Sequence, residues 1–294
     1  MGKLPMDIEL LPAYEDYIFK TIMTHPDARP ALIDLVSAVI GREVVDITVI
    51  NNELPLTDTE EKKERLDLNC VIDDGSQVNV EMQGSRMAEH EGSHLNFINK
   101  SVYYLADLHS SQKASGLAYS KLVRTYQITF VNYTVFASQK DYLTQGCIRT
   151  QSGRLISDQL NISIIELSKL KSVFEKPIEQ MTSLDMWSIF LGHANDPDKR
   201  EQINKMIEKK GELAMATSIL TSISKDDRER AKFLSRRKYE TDRLSNLATA
   251  ESIGEARGME MGISQVARNM KHEGIPFENI AKFTNLSIDE IQKL

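Results

Sequence analysis

Residues 64–83 read ERLDLNCVIDDGSQVNVEMQ, and this spacing predicts a β-hairpin. Arg65 to Ile72 and Gln77 to Gln83 alternate in polarity, and Asp73-Asp74-Gly75-Ser76 between them carries a turn signal. Successive residues of a strand point to opposite faces. Leu66, Leu68, Cys70 and Ile72 therefore oppose Asp67, Asn69 and Val71, while Val78, Val80 and Met82 oppose Asn79, Glu81 and Gln83. A three-residue loop centred on Asp74 puts Asp67 directly across from Glu81, with their Cβ atoms about 5 Å apart on one face.

Two carboxylates facing each other across a ladder repel. Two accounts stay open. A two-residue loop would slip the register and separate the acids on a solvated face. Alternatively the pair holds a divalent metal. Mg²⁺ takes a few carboxylate oxygens, keeps several waters and leaves room for substrate phosphates.

The 294 residues suffice for one large core with appendages or for two domains. A hydrophobic content of 41% with 27% charged residues is that of an ordinary globular chain. No apolar run approaches the roughly 18 residues of a membrane span. The opening MGKLPMDIELLPAYEDY lacks an apolar signal core, so secretion is not expected. Cys70 and Cys147 have no zinc or disulfide-framework spacing, which fits a reducing cytoplasm. A net charge of −7 argues against nucleic-acid binding by bulk charge, though a local basic groove stays open.

Along the chain, Ala13 to Met23 and Pro30 to Ile40 read as helices, the second ended near Gly41. Glu43 to Ile50 reads as a strand. A polar connection runs to Lys63, the hairpin follows, and His94 to Ser111 reads as a helix. Thr125 to Phe136 is strongly β-prone, and Ile148 to Ile165 holds one or two strands around Ser152-Gly153. Ser183 to Gly192, Lys199 to Ser224 and Asp226 to Ala250 read as helices. The order predicts an α/β or α+β front followed by an all-α region. Lys225 to Arg243 holds eight basic and five acidic residues, either a solvated helix face or a phosphate-contacting patch. Gly254, Gly258 and Gly262 suggest a flexible linker or a glycine seam for self-association. Three short helices follow, broken at Gly274 and Asn285. Ser287 and Glu290 form a capping box at the last start. Val266, Met270, Ile275, Ile280, Phe283, Leu286, Ile288 and Ile291 are their expected core.

His90 to His94, HEGSH, satisfies a zinc metallopeptidase pattern, with Glu91 as general base. Gly92-Ser93 at its centre opposes the continuous helix that pattern needs, and a polar loop is the other reading.

Several phrases occur in an order that resembles a known family. They are D-x-x-F-K at Asp16, Phe19 and Lys20, then Asp67, then E-x-Q at Glu81 and Gln83. A helix around Tyr103-Tyr104 and a G-x-x-Y segment at Gly116 to Tyr119 lead into Tyr126-Gln127-Ile128. Glu166-Leu167-Ser168-Lys169-Leu170, the glycine-spaced GEARG at Gly254 to Gly258, and the ending Ile280 to Ile291 complete the series. The chain resembles the recombination-promoting nuclease (Rpn) proteins, also described as transposase-like PD-(D/E)XK nucleases, over nearly its whole length.

The resemblance implies an α/β, restriction-endonuclease-like PD-(D/E)XK core, a mixed sheet flanked by helices, followed by an all-α C-terminal region. The implied organisation is a nuclease-like domain at 1–180, a helical region at 181–250, and a glycine-spaced linker with a three-helix module at 251–294. It implies Mg²⁺-dependent DNA cleavage in recombination or mobile-element processes. Asp67, Glu81 and the Met82 carbonyl would ligate the metal, and Gln83 would stand where the superfamily has lysine. Asp16 and Lys20 would approach from the first helix, Lys20 as the missing cation, with Lys62, Lys63 and Lys100 as rivals. DNA and further copies of the chain are the expected partners, with no membrane. The alternative is a catalytically weak or inactive DNA-binding, oligomeric regulatory protein on the same scaffold.

Overall fold

The computed structural model describes residues 2–50, 68–84, 93–112 and 118–294. Asp67, Lys62, Lys63, Gly116 and the HEGSH residues up to Gly92 lie outside them, as does the polar connection after Ile50.

Two helices open the first unit. In α1 (Asp16–Met23) Ile18, Phe19, Ile22 and Met23 form one buried side. α2 (Arg29–Ile40) has Pro30 in its first turn, where a missing N–H costs nothing. It stops at Gly41, whose φ of 78° only glycine adopts freely and whose N–H caps Ser37 O.

Among the described residues six strands form one mixed sheet in the order β1-β2-β3-β4-β6-β5. β1 (Ile47–Val49), β2 (Leu68–Ile72) and β3 (Gln77–Gln83) are antiparallel neighbours. α3 (Ser93–Ser111) precedes β4 (Thr125–Val131), which runs parallel to β3. β5 (Leu143–Arg149) lies antiparallel to β6 (Leu155–Glu166), and β6 runs parallel to β4. The expected strands at residues 148–165 thus extend back to Leu143.

The hairpin turn explains its own register. Gly75 takes φ 82°, its N–H reaches Ile72 O, and Asp74 Oδ1 accepts from Ser76 N at 2.9 Å. This is a three-residue loop with glycine at the left-handed position. It sets Leu68 opposite Val80 and Cys70 opposite Val78, the register of the three-residue reading rather than the slipped one.

After β6 come α4 (Lys171–Phe174), α5 (Ser183–His193), α6 (Arg200–Lys209) and α7 (Gly211–Lys225). Thr182 and Asp185 cap α5 reciprocally. These helices share one apolar core with α1, α2 and the Val78, Val80 and Met82 side of the sheet. Trp187, Phe19, Phe130 and Phe190 are its largest buried side chains. Packing therefore does not break near residue 180. The compact units are 1–233 and 234–294.

The N-terminal segment is laid over this helical layer. Leu4 N donates to Asn204 Oδ1 at 2.7 Å, Arg200 donates to the carbonyls of Pro5 and Ile8, and Leu11 N donates to Ser224 Oγ at 3.0 Å. Leu4, Leu10 and Leu11 are buried beneath it.

The unit boundary falls inside α8 (Asp227–His272). Gly254, Gly258 and Gly262, expected as a linker, lie within this helix. A Cβ at any of them would meet nothing within 4 Å, so close packing is not what admits them. Glu, Ala, Arg and Met between them are strong helix formers and offset a cost of about 1 kcal/mol per glycine. In the second unit α9 (Phe277–Thr284) and α10 (Ile288–Lys293) follow, separated at Asn285 with φ 60°. Ser287 and Glu290 form the expected capping box. Ala267, Ile280 and Ile291 are the buried centre. Val266, Ile288 and Phe283 are exposed instead, Phe283 by 73%.

Candidate active site

The polar side of β3 is covered, not solvated. α3 lies over this face of the sheet, with Phe97 packed on Val131, Val135 and Ile164. Beneath it Asn79 pairs in register with Gln127, Glu81 with Thr129, and Gln83 with Val131. Asn79, Glu81, Gln127 and Thr129 are all buried. Gln127 Nε2 reaches Thr129 Oγ1 at 3.2 Å. The side-chain oxygens of Asn69, Gln77, Gln83 and Gln127 are buried with no hydrogen-bond partner among the described residues. A buried, unpaired oxygen costs about 1–3 kcal/mol, so such a cluster calls for a polar partner.

Glu81 is 7% exposed. Its Oε1 accepts from Lys100 Nζ at 2.9 Å, across from α3. The Lys100 ammonium also stands 5.4 Å from the centroid of the Tyr104 ring, one helical turn on. Gln83 follows Glu81 by two residues and so shares its face. The Met82 side chain points the other way into the core.

The chain then turns at Gly84. A Cβ there would stand 2.5 Å from Tyr14 O and 3.2 Å from Glu15 Oε2. Only glycine lets the end of β3 approach the start of α1 so closely. This brings the carboxylate of Glu15, which precedes α1, to the end of β3. Sequence reasoning missed it. The available signal was a glycine directly after E-x-Q, which marks a close backbone approach without naming its partner. Asp16 opens α1 beside Glu15. Lys20 sits a turn further on, and its ammonium makes no ion pair among the described residues. The body of α1 packs on the opposite sheet face, Phe19 against Phe130 with ring centroids 6.1 Å apart.

Glu166 ends β6 in the same sheet row as Gln83 and Val131. Its valences are filled: Oε1 accepts from Val135 N at 2.6 Å and Phe136 N at 3.1 Å, and Oε2 from Lys169 Nζ at 2.7 Å. The E-L-x-K-L phrase is thus a buried clamp on the loop after β4.

Among the described residues no three His, Cys, Asp or Glu side chains cluster as a metal site, and Asp67 lies outside them. The groups on β3 nonetheless suit a hard cation. Glu81 offers a carboxylate and Gln83 a buried amide oxygen without a described partner, and oxygen donors are what Mg²⁺ takes.

A mixed six-stranded sheet flanked by helices, with the acid on a central strand beside its antiparallel hairpin partner, defines an α/β, restriction-endonuclease-like core followed by helices. The sequence profile of the PD-(D/E)XK nuclease family transposases matches residues 13–250, and the chain belongs to that family. No curated protein and no solved structure matches it at a significant level. No described helix is long and apolar enough to cross a membrane.

Proposed function

We propose that this chain is a Mg²⁺-dependent DNA endonuclease acting in recombination or mobile-element processes. The observation that carries the reading is Glu81: an acid on a central strand, buried under α3, with the Gln83 oxygen beside it. Asp67, the residue before β2 in the chain, Glu81 and the Met82 carbonyl would hold the cation. A divalent cation there would acidify a water and offset charge on the scissile phosphate. Gln83 orients that water or a phosphate oxygen by hydrogen bonding, and carries no charge of its own. Asp16, at the start of α1, would approach the site from the end of β3, with Lys20 a turn further along the helix. One water is consumed per cut: its oxygen joins phosphorus as one P–O ester bond breaks, and a proton ends on the leaving oxygen. Two free cysteines suit a reducing compartment such as the cytoplasm, and a homo-oligomer is the assembly we expect.

The test is plasmid nicking with Mg²⁺ by wild type, Asp67→Ala and Glu81→Ala. Cleavage retained in either pure variant refutes the assignment. A second reading is favoured by glutamine at position 83: a non-cleaving, DNA-binding, oligomeric regulator on the same scaffold. Mg²⁺-dependent cleavage by wild type, lost in Glu81→Ala, excludes it.

A further inference from the structure

Gln83 leaves the site without the strand-borne positive charge of an E-x-K pattern. We propose that Lys100, reaching down from α3, supplies that charge and contacts the scissile phosphate. This rests on the nuclease reading above.

The placement is specific. Phe97, Ser101 and Leu105 form the buried side of α3, which leaves Lys100 on the helix flank, where its stem runs to the sheet. Its ammonium meets Glu81 Oε1 at 2.9 Å, and the two side chains are 39% and 8% exposed. The acid is thus buried while the cation keeps a solvent-exposed side on which an anion can meet it. Tyr104 adds a ring face near the ammonium, a weaker hold than a phosphate anion would give. A four-carbon stem lets the ammonium shift without moving the helix.

Glu81 anchors Lys100 in the protein without ligands. Once Glu81 serves a divalent cation, like charge disfavours the ammonium beside it, and a non-bridging phosphate oxygen becomes its partner. Lys100 donates a hydrogen bond and offsets negative charge that grows on the phosphate as water adds. Lys20 is placed less well for this task, since α1 packs on the other face of the sheet.

The experiment compares wild type with Lys100→Met and Lys100→Arg. It measures melting temperature, Ca²⁺ affinity by calorimetry without DNA, and single-turnover cleavage at saturating Mg²⁺. Lys100→Met should bind Ca²⁺ at least as tightly as wild type, because a competing cation has left Glu81. Its cleavage should fall by about 100-fold, with Lys100→Arg within about tenfold of wild type. Should Lys100→Met be unfolded at the assay temperature, Lys100→Gln takes its place. Wild-type cleavage rates in the neutral variant, or weakened Ca²⁺ binding, overturn the inference and leave the nuclease reading standing. No Mg²⁺-dependent cleavage by wild type overturns both.

Discussion

Trp187 Nε1 donates to Asp34 Oδ2 across 2.6 Å and so ties α5 to α2. The same carboxylate accepts from Ser183 Oγ at 3.2 Å and from Lys210 Nζ at 2.8 Å. Removing it strands an indole N–H in the largest core of the molecule. Asp34→Ala should lower stability by about 2–3 kcal/mol. Asp34→Asn, which keeps an acceptor oxygen, should lose less. Trp187 is the single tryptophan, so its own fluorescence during urea unfolding reads the change. An unmoved midpoint in Asp34→Ala would contradict the role given to this contact.

Gly84 is a second sensitive position. An added methyl meets the Tyr14 carbonyl oxygen and the Glu15 Cα atom, at 2.5 and 3.1 Å. Backbone cannot swing aside as a side-chain tip does. Gly84→Ala should cost about 1–3 kcal/mol and push the start of α1 off the end of β3. Denaturation curves measure the first effect. A variant as stable as wild type would mean that α1 slides freely at this end.

Asp185 gives a pH dependence with a definite sign. Burial raises its pKa, but the Thr182 N–H, the Tyr142 hydroxyl and the Lys176 ammonium outweigh burial and hold it below the ordinary 3.8. The partners lie at 3.0, 2.7 and 2.9 Å. A depressed folded-state pKa gives stability that is present above the unfolded-state value and lost as pH falls through the folded one. Asp185→Asn should therefore be less stable than wild type near neutrality. The gap should narrow as pH drops below about 4. Parallel unfolding curves across that range check this, and a constant gap would contradict it.

Much of the site's scaffold was legible because turn chemistry is local. Asp73, Asp74 and Gly75 specify a loop length, loop length fixes register, and register fixes which residues share a face with Glu81. Its burial was not legible, since the cover comes from α3, across a chain crossover. The spacing of Phe97, Ser101 and Leu105 marks the inner side of α3 and leaves Lys100 at its flank. Which strand residue Lys100 meets depends on how helix and sheet are stacked, and local periodicity does not carry that. Glu15 escaped for the same reason: Gly84 announces a close neighbour without saying which. β5 begins at Leu143, ahead of the expected run from Ile148, and within it Gly146 lets Ile162 pack close, 3.3 Å from where a Cβ would stand. In the C-terminal unit the capping box was explicit, but the choice of Ala267 over Val266 for the interior follows from how three helices pack.

The segment laid across α6 and α7 has a consequence for synthesis. Leu11 N is held by Ser224, 213 residues later in the chain, and Leu4 by Asn204, 200 residues later. Chains emerge from the ribosome N-terminus first, so the earliest residues wait for the latest helices of their unit. Until α6 and α7 have been made, the Leu4 and Leu11 N–H groups lack the side chains that hold them in the folded unit. A nascent chain would therefore dock this N-terminal segment only near the completion of the first unit.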